Sequence, residues 1–175
     1  MNEESSNDFV AELCPKCGLC CNGVVFADVR LQKGDSARRL AQRGLLLTQR
    51  AGRPAFPQPC RCFDGALCRI YAERPQHCRS FVCGILQRAQ AGEMTTDMAL
   101  DKIAGARRLA EEVRQLLRRL GDTDEQQALT RRYARVMREP IDLSGPEDAV
   151  EGRGELMLAV NDLMHALQRD FLRQE

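Results

Sequence analysis

The cysteines of this chain stand at spacings that suit metal ligation. The first group reads Cys14-Pro-Lys-Cys17-Gly-Leu-Cys20-Cys21, which is a C-x2-C-x2-C-C pattern. A C-x2-C turn places two sulfurs on one side of a tight loop, so that both reach one ion. A third cysteine at the same step adds a third thiolate. The spacing therefore predicts a thiolate metal site, and it leaves the identity of the metal open.

A second group of cysteines follows a proline-rich segment. Its members are Cys60, Cys62, Cys68, Cys78 and Cys83. All nine cysteines lie within 70 residues, and the 92 residues after Cys83 contain none. Disulfides would leave one of the nine thiols unpaired, and the N-terminus lacks the basic and apolar regions of an export signal. Inert buried cysteines are the other alternative, and they fit one or two positions better than nine. Metal or cluster binding is therefore favoured.

The two groups together resemble the CxxCxxCC family of YkgJ-like proteins, which is described as a zinc- or iron-chelating domain. The matching parts are Cys14–Cys21, a proline-preceded cysteine at Cys60, and the segments Cys68-Arg69-Ile70-Tyr71, Arg74-Pro75 and Cys78-Arg79-Ser80-Phe81-Val82-Cys83. The resemblance covers about residues 12–88 and says little about residues 91–175. It implies eight metal ligands: Cys14, Cys17, Cys20, Cys21, Cys60, Cys68, Cys78 and Cys83. Cys62 lies outside the family pattern, and its role stays open.

Other residues near the cysteines are expected to support the site. His77 precedes Cys78, but eight thiols already suffice, so we expect it at the surface or behind the ligands. Arg74-Pro75 is expected to set a rigid turn. The basic side chains Arg69, Arg74 and Arg79 are expected to hydrogen-bond to sulfurs or to the backbone. No Ser-His-Asp set, paired-carboxylate motif or phosphate loop is recognisable.

The charge of the chain is unevenly distributed, although it sums to +1. From Cys14 to Arg88 there are 13 basic and four acidic residues, a balance of +9. A basic surface for nucleic acid or an acidic partner is one interpretation. The other is that arginines offset the charge of bound thiolates. We favour the second, because the basic residues form no contiguous run and aromatic residues are not interleaved with them. Nucleic acid is therefore disfavoured as a partner.

The elements that position these residues are predicted to be mainly α-helical. We expect a flexible tail over residues 1–12, a small irregular metal-organised module over 13–90, and a helical C-terminal half over 91–175. Within the module, a short strand is predicted over 23–29, a helix over 37–46 capped by Asp35-Ser36, and an extended loop over 53–59.

The C-terminal half is predicted to hold about three amphipathic helices. Thr95 or Thr96 caps the first, whose face runs from Ile103 to Leu120 and which Gly121 ends. Capping boxes at Thr123–Gln126 and Ser144–Glu147 open the second and third. The face of the second includes Leu129 and Val136, and that of the third runs from Leu156 to Phe171. Helices of this kind pack on the module or on a protein partner.

Two function classes follow from these observations. The first is a cytoplasmic iron–sulfur or iron-binding protein that serves electron transfer, sensing or a modification enzyme. It is slightly favoured, because C-x2-C-x2-C occurs in bacterial ferredoxin loops, where a remote cysteine completes the cluster. The second is a zinc-organised interaction module whose helical half or basic face docks a protein. An enzyme that uses the site directly is a third alternative. No segment of the sequence is apolar enough to suggest a membrane span.

Overall fold

A computed structural model gives the fold and describes residues 3–140 and 147–172. Within these ranges it contains seven α-helices and three short strands, so the prediction of a mainly α-helical chain is confirmed. The helices are α1 (Glu3–Cys17), α2 (Ala37–Gln42), α3 (Gln76–Ser80), α4 (Gly84–Gln90), α5 (Thr96–Arg119), α6 (Leu129–Arg138) and α7 (Glu147–Asp170). The strands are β1 (Asp28–Arg30), β2 (Thr48–Arg50) and β3 (Arg53–Pro57), and a 3-10 turn spans Tyr71–Glu73.

The chain divides into two compact units. The first unit consists of the residues up to Val82 together with Gln126–Ala128. The second consists of Cys83–Glu125 and the residues from Leu129 onward. Eight of the nine cysteines therefore lie in the first unit, and Cys83 begins the second. The predicted boundary after residue 90 stays a prediction.

The N-terminal segment is helical from Glu3, where the sequence suggested a flexible tail over residues 1–12. Helix α1 continues to Cys17 and contains Pro15 in its last turn. Leu13 is 3% exposed, so the last turns of the helix are anchored by burial of an apolar side chain. The first two cysteines therefore lie on a helix rather than in an irregular loop.

The strands of the first unit form a small antiparallel sheet with β3 in the centre. The prediction that residues 53–59 form a loop is therefore wrong for Arg53–Pro57. Proline fixes φ near the value of extended backbone, and the carbonyl of Pro54 still accepts a hydrogen bond from the Leu31 N–H at 2.9 Å. The strand predicted over 23–29 is reduced to Asp28–Arg30, because Gly23 has a φ of +82° and lies in a turn.

One face of this sheet contributes to the small core of the first unit. Val29 pairs with Phe56 across β1 and β3, and both side chains are buried. Helix α2 adds Leu40, and of the predicted cap residues Asp35 and Ser36 it is Ser36 that caps it. The helix ends at Gln42, four residues before the predicted end. The buried members of the core are Val29, Leu40, Leu45, Phe56, Cys62 and Ile70, and Cys60, Cys68 and Cys78 pack against them. A core of this size gives limited stability to a unit of about 80 residues.

The second unit is built on α5 and α7. Thr95 caps α5 by accepting a hydrogen bond from the Met98 N–H at 3.3 Å, and Gly121 follows its end with a φ of +85°. The buried residues of α5 are Ala99, Ile103, Ala106, Ala110, Val113, Leu116 and Leu117, so most of the predicted face is confirmed. In α7, a Cβ at Gly152 would lie 3.2 Å from the Leu120 side chain, and glycine therefore permits close packing there.

The predicted start of the second helix is wrong. Helix α6 begins at Leu129, several residues after the Thr123–Gln126 capping box. Residues 122–128 form an irregular loop instead, in which the carboxylate of Asp122 binds side chains of α6. Leu129 and Val136 are buried as predicted. The predicted cap residue Ser144 lies outside the described residues.

An ion-pair network with a buried centre joins this loop to α6. The Arg132 Nε donates to Asp122 Oδ1 at 2.9 Å, and the two side chains are 1% and 2% exposed. Arg135 donates to the other carboxylate oxygen at 2.6 Å. Burial raises the pKa of Asp122, but the hydrogen bonds from Arg135 and Arg132 outweigh burial and hold that pKa below its ordinary value. A search of the described residues found no helix with the length and apolar character needed to cross a membrane.

Replacing Asp122 with Asn should lower the free energy of unfolding at pH 7 by about 3 kcal/mol, because the buried Arg132 guanidinium loses its anionic partner. The matched control is Asp124→Asn, since the Asp124 carboxylate is 43% exposed and lies 3.4 Å from Arg135. That control should cost less than about 1 kcal/mol. Urea unfolding followed by far-UV circular dichroism measures both variants.

The wild type and Asp122→Asn also give a test of how the stability depends on pH. Since the folded pKa of Asp122 is lowered, its stabilisation is complete above the unfolded pKa of about 3.9 and is lost as the pH falls through the folded value. The stability difference between the wild type and Asp122→Asn should therefore shrink below pH ~3.9. A difference that stays constant throughout acid titration would contradict this assignment.

Candidate metal centre

The first cysteine group spans the end of α1 and the turn that follows it. Gly18 has a φ of +68° and its N–H donates to the Cys14 carbonyl at 3.1 Å, which ends the helix in the way that glycine commonly does. The Cys21 N–H then donates to the Gly18 carbonyl at 3.0 Å. Cys14 is exposed, whereas Cys17, Cys20 and Cys21 are half-buried. The turn therefore gathers four thiols within eight residues of chain.

Two contacts join this turn to the second cysteine group. The Cys60 N–H donates to the Cys21 carbonyl at 2.8 Å. The ring of Phe63 packs against Gly18, because a Cβ built at Gly18 would lie 2.8 Å from Phe63 Cζ. Glycine is therefore required at position 18 for two reasons: it adopts the positive φ, and it lets the Phe63 ring approach the backbone closely.

The segment from Cys60 to Cys68 is a loop closed by backbone hydrogen bonds. The Arg69 N–H donates to the Cys62 carbonyl at 2.8 Å, and Phe63 forms an isolated bridge with Cys68. At the tip, the Asp64 carboxylate accepts from the N–H groups of Ala66 and Leu67 at 3.0 and 2.7 Å. These hydrogen bonds hold the backbone between Cys60 and Cys68 in a closed loop.

Cys78 lies on α3, which begins after Arg74-Pro75, where the predicted rigid turn is replaced by a break between the 3-10 turn and the helix. Both residues are extended, with φ of −53° and ψ near 150°, so the 3-10 turn ends there and α3 begins. A residue that precedes proline disfavours helical backbone, which explains the break. The Arg79 N–H bonds to the Pro75 carbonyl at 3.1 Å and starts the helix that carries Cys78.

The thiols of the two groups act electrostatically on one another. Burial, with smaller contributions from the neighbouring Cys68 and Cys14, raises the pKa of Cys21 to about 11. Burial also raises the pKa of Cys60 and of Cys78 to about 12, with contributions from Cys21 and Cys68 in both cases. The thiols of Cys14, Cys21, Cys60, Cys68 and Cys78 therefore interact electrostatically, as does that of Cys62, and their assignment as ligands stays a prediction.

Cys62 has a different environment from its neighbour Cys60. It is 1% exposed within the core of the first unit, and its thiol lies 3.8 Å from the Arg43 carbonyl. Burial is the main cause that raises its pKa. Cys62 is thus a buried core residue whose thiol also interacts with those of Cys60 and Cys68, and its exclusion from the ligand set stays a prediction.

Cys83 belongs to the second unit, where it precedes α4. Burial raises the pKa of its thiol, and the N–H groups of Leu86 and Ile85 oppose this by hydrogen bonding to it. Its assignment as a ligand, like the complete set of eight, stays a prediction.

The aromatic and basic residues of the segment mostly serve packing. The His77 ring lies 5.4 Å from the Phe26 ring and 6.0 Å from the Phe81 ring, and its Nδ1 is 3.5 Å from Gln32 Nε2. Arg79 donates to the Gln76 side chain at 2.9 Å, and Arg69 donates to the Arg61 carbonyl. The expectation of backbone partners is met for Arg69 and for Arg74, whose Nε donates to the Tyr71 carbonyl at 3.1 Å.

Several supporting features were not recognised in the sequence. The Gly18–Phe63 contact and the Cys60–Cys21 hydrogen bond join residues over 35 positions apart, so only tertiary structure brings them together. Gly18 directly after Cys17 is the one local signal, because glycine often follows a helix end. Gln58, two residues before Cys60, is 2% exposed and its Oε1 has no hydrogen-bond partner among the described residues.

The donor set fits a soft or borderline metal ion. None of the nine cysteines, all of which lie in the described residues, forms a disulfide, and a cluster of thiols without a required histidine suits zinc or iron–sulfur. Within the described ranges, however, no three His, Cys, Asp or Glu side chains are arranged so that they could hold one ion. The thiols are thus close enough to interact but do not form a closed coordination shell.

Comparison with family models matches residues 13–99, about half of the chain, to CxxCxxCC, described as a "putative zinc- or iron-chelating domain". The chain belongs to the CxxCxxCC family. Searches of curated proteins and of solved structures found no match. Membership supports metal binding by the CxxCxxCC domain, with zinc or iron as the metal.

The contrast between Cys60 and Cys62 predicts different effects of the same substitution. Cys60→Ala should abolish stoichiometric metal binding, because the family pattern and the contact with the Cys21 segment both assign Cys60 to the site. Cys62→Ala should retain the metal and lower stability by about 1 kcal/mol, since it removes one buried sulfur from an apolar core. Elemental analysis of purified protein measures the metal. Equal metal loss in the two variants would show that Cys60 has been wrongly matched to the family pattern in place of Cys62.

Proposed function

We propose that the CxxCxxCC domain uses its cysteine thiolates to hold an iron–sulfur cluster, in a cytoplasmic protein that serves a redox step or a modification enzyme. The observation that carries this proposal is the convergence of the two cysteine groups through the Cys60–Cys21 backbone hydrogen bond at 2.8 Å. That contact supports the proposal because it joins the backbone of the second cysteine group to the end of the first. A remote thiol would then complete a set begun by Cys14, Cys17 and Cys20, as in ferredoxin loops. A cluster bound there would supply one-electron chemistry.

The chain's own residues would hold and shield such a group. Cys14, Cys17 and Cys20 would supply ligands from one helix end and turn. Phe63, packed on Gly18, and the core around Phe56 would limit access of water on the inner side. Limited access of water and nearby positive charge both tune the potential of a bound cluster.

A zinc-organised module that docks a protein partner is the second candidate. Three apolar side chains of α7 favour it: Val150, Met157 and Leu158 are 44%, 51% and 70% exposed. Their spacing of seven and eight residues places them on one face of the helix. In that case the helical half would make the contact with the partner, and the metal would only stabilise the fold.

Metal analysis of anaerobically purified protein separates the two candidates. An iron–sulfur site has charge-transfer absorption, whereas Zn²⁺ is d¹⁰ and redox-silent. We therefore expect a brown preparation that dithionite bleaches. Replacing Cys14, Cys17 or Cys20 with Ser should each abolish the colour, and the matched control Cys62→Ala should keep it.

A colourless anaerobic sample with stoichiometric zinc, and no uptake of iron on reconstitution, would reject the iron–sulfur proposal and favour the docking module. Sedimentation of that zinc protein with and without Leu158→Glu would then test whether the α7 face associates. Zinc found only after aerobic expression is not decisive by itself, because thiolate sites that lose a cluster accept zinc. The metal content and colour of the anaerobic sample therefore decide between the two candidates.

A further inference from the structure

Helix α4 begins against the end of α7 within the second unit. The Gly84 N–H donates to the Phe171 carbonyl at 2.9 Å, and Phe171 is 2% exposed. A Cβ built at Gly84 would lie 2.8 Å from the Asp170 carbonyl oxygen, so glycine allows the two backbones to come this close. Because Cys83 directly precedes Gly84, the end of α7 sets the position of its backbone.

A buried carboxylate at the end of α7 strengthens this contact. The Asp170 side chain is 4% exposed, and its Oδ1 lies 3.2 Å from Arg88 Nη2 and 2.8 Å from Lys102 Nζ. Arg88 belongs to α4, and its guanidinium also donates to the carbonyls of Asp170 and Gly84 at 3.1 and 3.3 Å. Arg88 therefore joins the first turn of α4 to the last turn of α7.

These two cations on Asp170 come from different helices. Arg88 lies on α4, four residues after Gly84, whereas Lys102 lies on α5. Both pair with the same carboxylate oxygen, but Arg88 in addition bonds to the backbone of the turn that follows Cys83. Arg88 is therefore the cation that can transmit the position of α7 to Cys83.

We propose that Arg88 and Asp170 are positioning residues for Cys83, which fix the start of α4 so that the thiol is presented to the metal from a rigid backbone. This inference rests on the proposed metal binding and on Cys83 as one of the ligands. A ligand whose backbone is already fixed loses less conformational freedom when the metal binds. The end of α7, which lies outside residues 13–99 of the family match, thereby contributes to metal affinity.

The test is the Zn²⁺ affinity of the full chain, measured by competition with a chromophoric chelator. Arg88→Gln should weaken binding by several-fold, less than the roughly 10- to 100-fold lost when a group that touches a metal ligand is removed. The matched control is Lys102→Gln, because the Arg88 and Lys102 side chains are 33% and 32% exposed and pair with the same carboxylate. Lys102→Gln leaves Arg88 bonded to α7 and should bind Zn²⁺ as the wild type does.

A double-mutant cycle shows whether Arg88 acts through Cys83. Cys83→Ser should weaken Zn²⁺ binding by more than Arg88→Gln does, because it removes a thiolate. In the Cys83→Ser background, Arg88→Gln should cause no further loss of affinity.

Asp122→Asn is the control for a general loss of stability. The Asp122 carboxylate is also buried in the second unit, but it pairs with Arg132 and Arg135 of α6. Its replacement should leave the Zn²⁺ affinity unchanged, although it destabilises the unit.

Gly84→Ala tests the close approach of α4 and α7 without changing a charge. The added Cβ would push the start of α4 away from the Asp170 carbonyl, so Zn²⁺ binding should weaken by several-fold. The matched control is Gly105→Ala, since a Cβ at Gly105 of α5 would meet no described atom within 4 Å. Far-UV circular dichroism of the zinc-loaded variants checks that each is folded, and thiolate-to-Co²⁺ absorption after substitution reports sulfur ligation.

Several outcomes would overturn the inference while metal binding stands. They are wild-type affinity in Arg88→Gln or in Cys83→Ser, and an undiminished effect of Arg88→Gln in the Cys83→Ser background. An equal loss in Lys102→Gln or Asp122→Asn would also overturn it, since the effect would then belong to the stability of the second unit. Failure of the wild type to bind Zn²⁺ or Co²⁺ through sulfur would instead overturn the proposed metal binding, and this inference with it.

Discussion

Half-buried thiols that lie close together cannot all ionise unless positive charge lies among them. In the first unit, burial and neighbouring thiols raise the pKa values of Cys21, Cys60 and Cys78 together. A metal ion removes this conflict, because it binds thiolates and displaces their protons. The segments that carry these cysteines are set by the helix end at Gly18, the closed loop from Cys60 to Cys68 and the break between the 3-10 turn and α3 at Arg74-Pro75.

The two units depend on different forces. The second unit buries long apolar stripes of α5 and α7 and closes a loop through the buried Asp122–Arg132 pair. The first unit has a small core around Phe56, strands of three to five residues, and short helices after α1. Its cysteines are therefore expected to supply, through metal bonds, the stability that its core lacks.

Sequence patterns predicted the features that depend on local chemistry. The caps at Ser36 and Thr95, the end of α5 at Gly121 and the mainly α-helical class all follow from residue type and spacing. Features set by tertiary contacts were not predicted. Pro54 and Pro57 enter the central strand because a short ladder needs few N–H donors, and α6 starts late because Asp122 binds its arginines. The burial of Cys62 likewise depends on chain segments that are distant in sequence.

The most direct measurement is amide hydrogen exchange of the full chain before and after complete metal removal. If thiolate–metal bonds organise the first unit, protection should be lost across residues 14–82, which include the sheet and the core around Phe56. The amides of α5 should keep theirs, as an internal control, because that helix is stabilised by apolar packing. Unchanged protection of residues 14–82 in metal-free protein would contradict the central claim that metal binding supplies the stability of this unit.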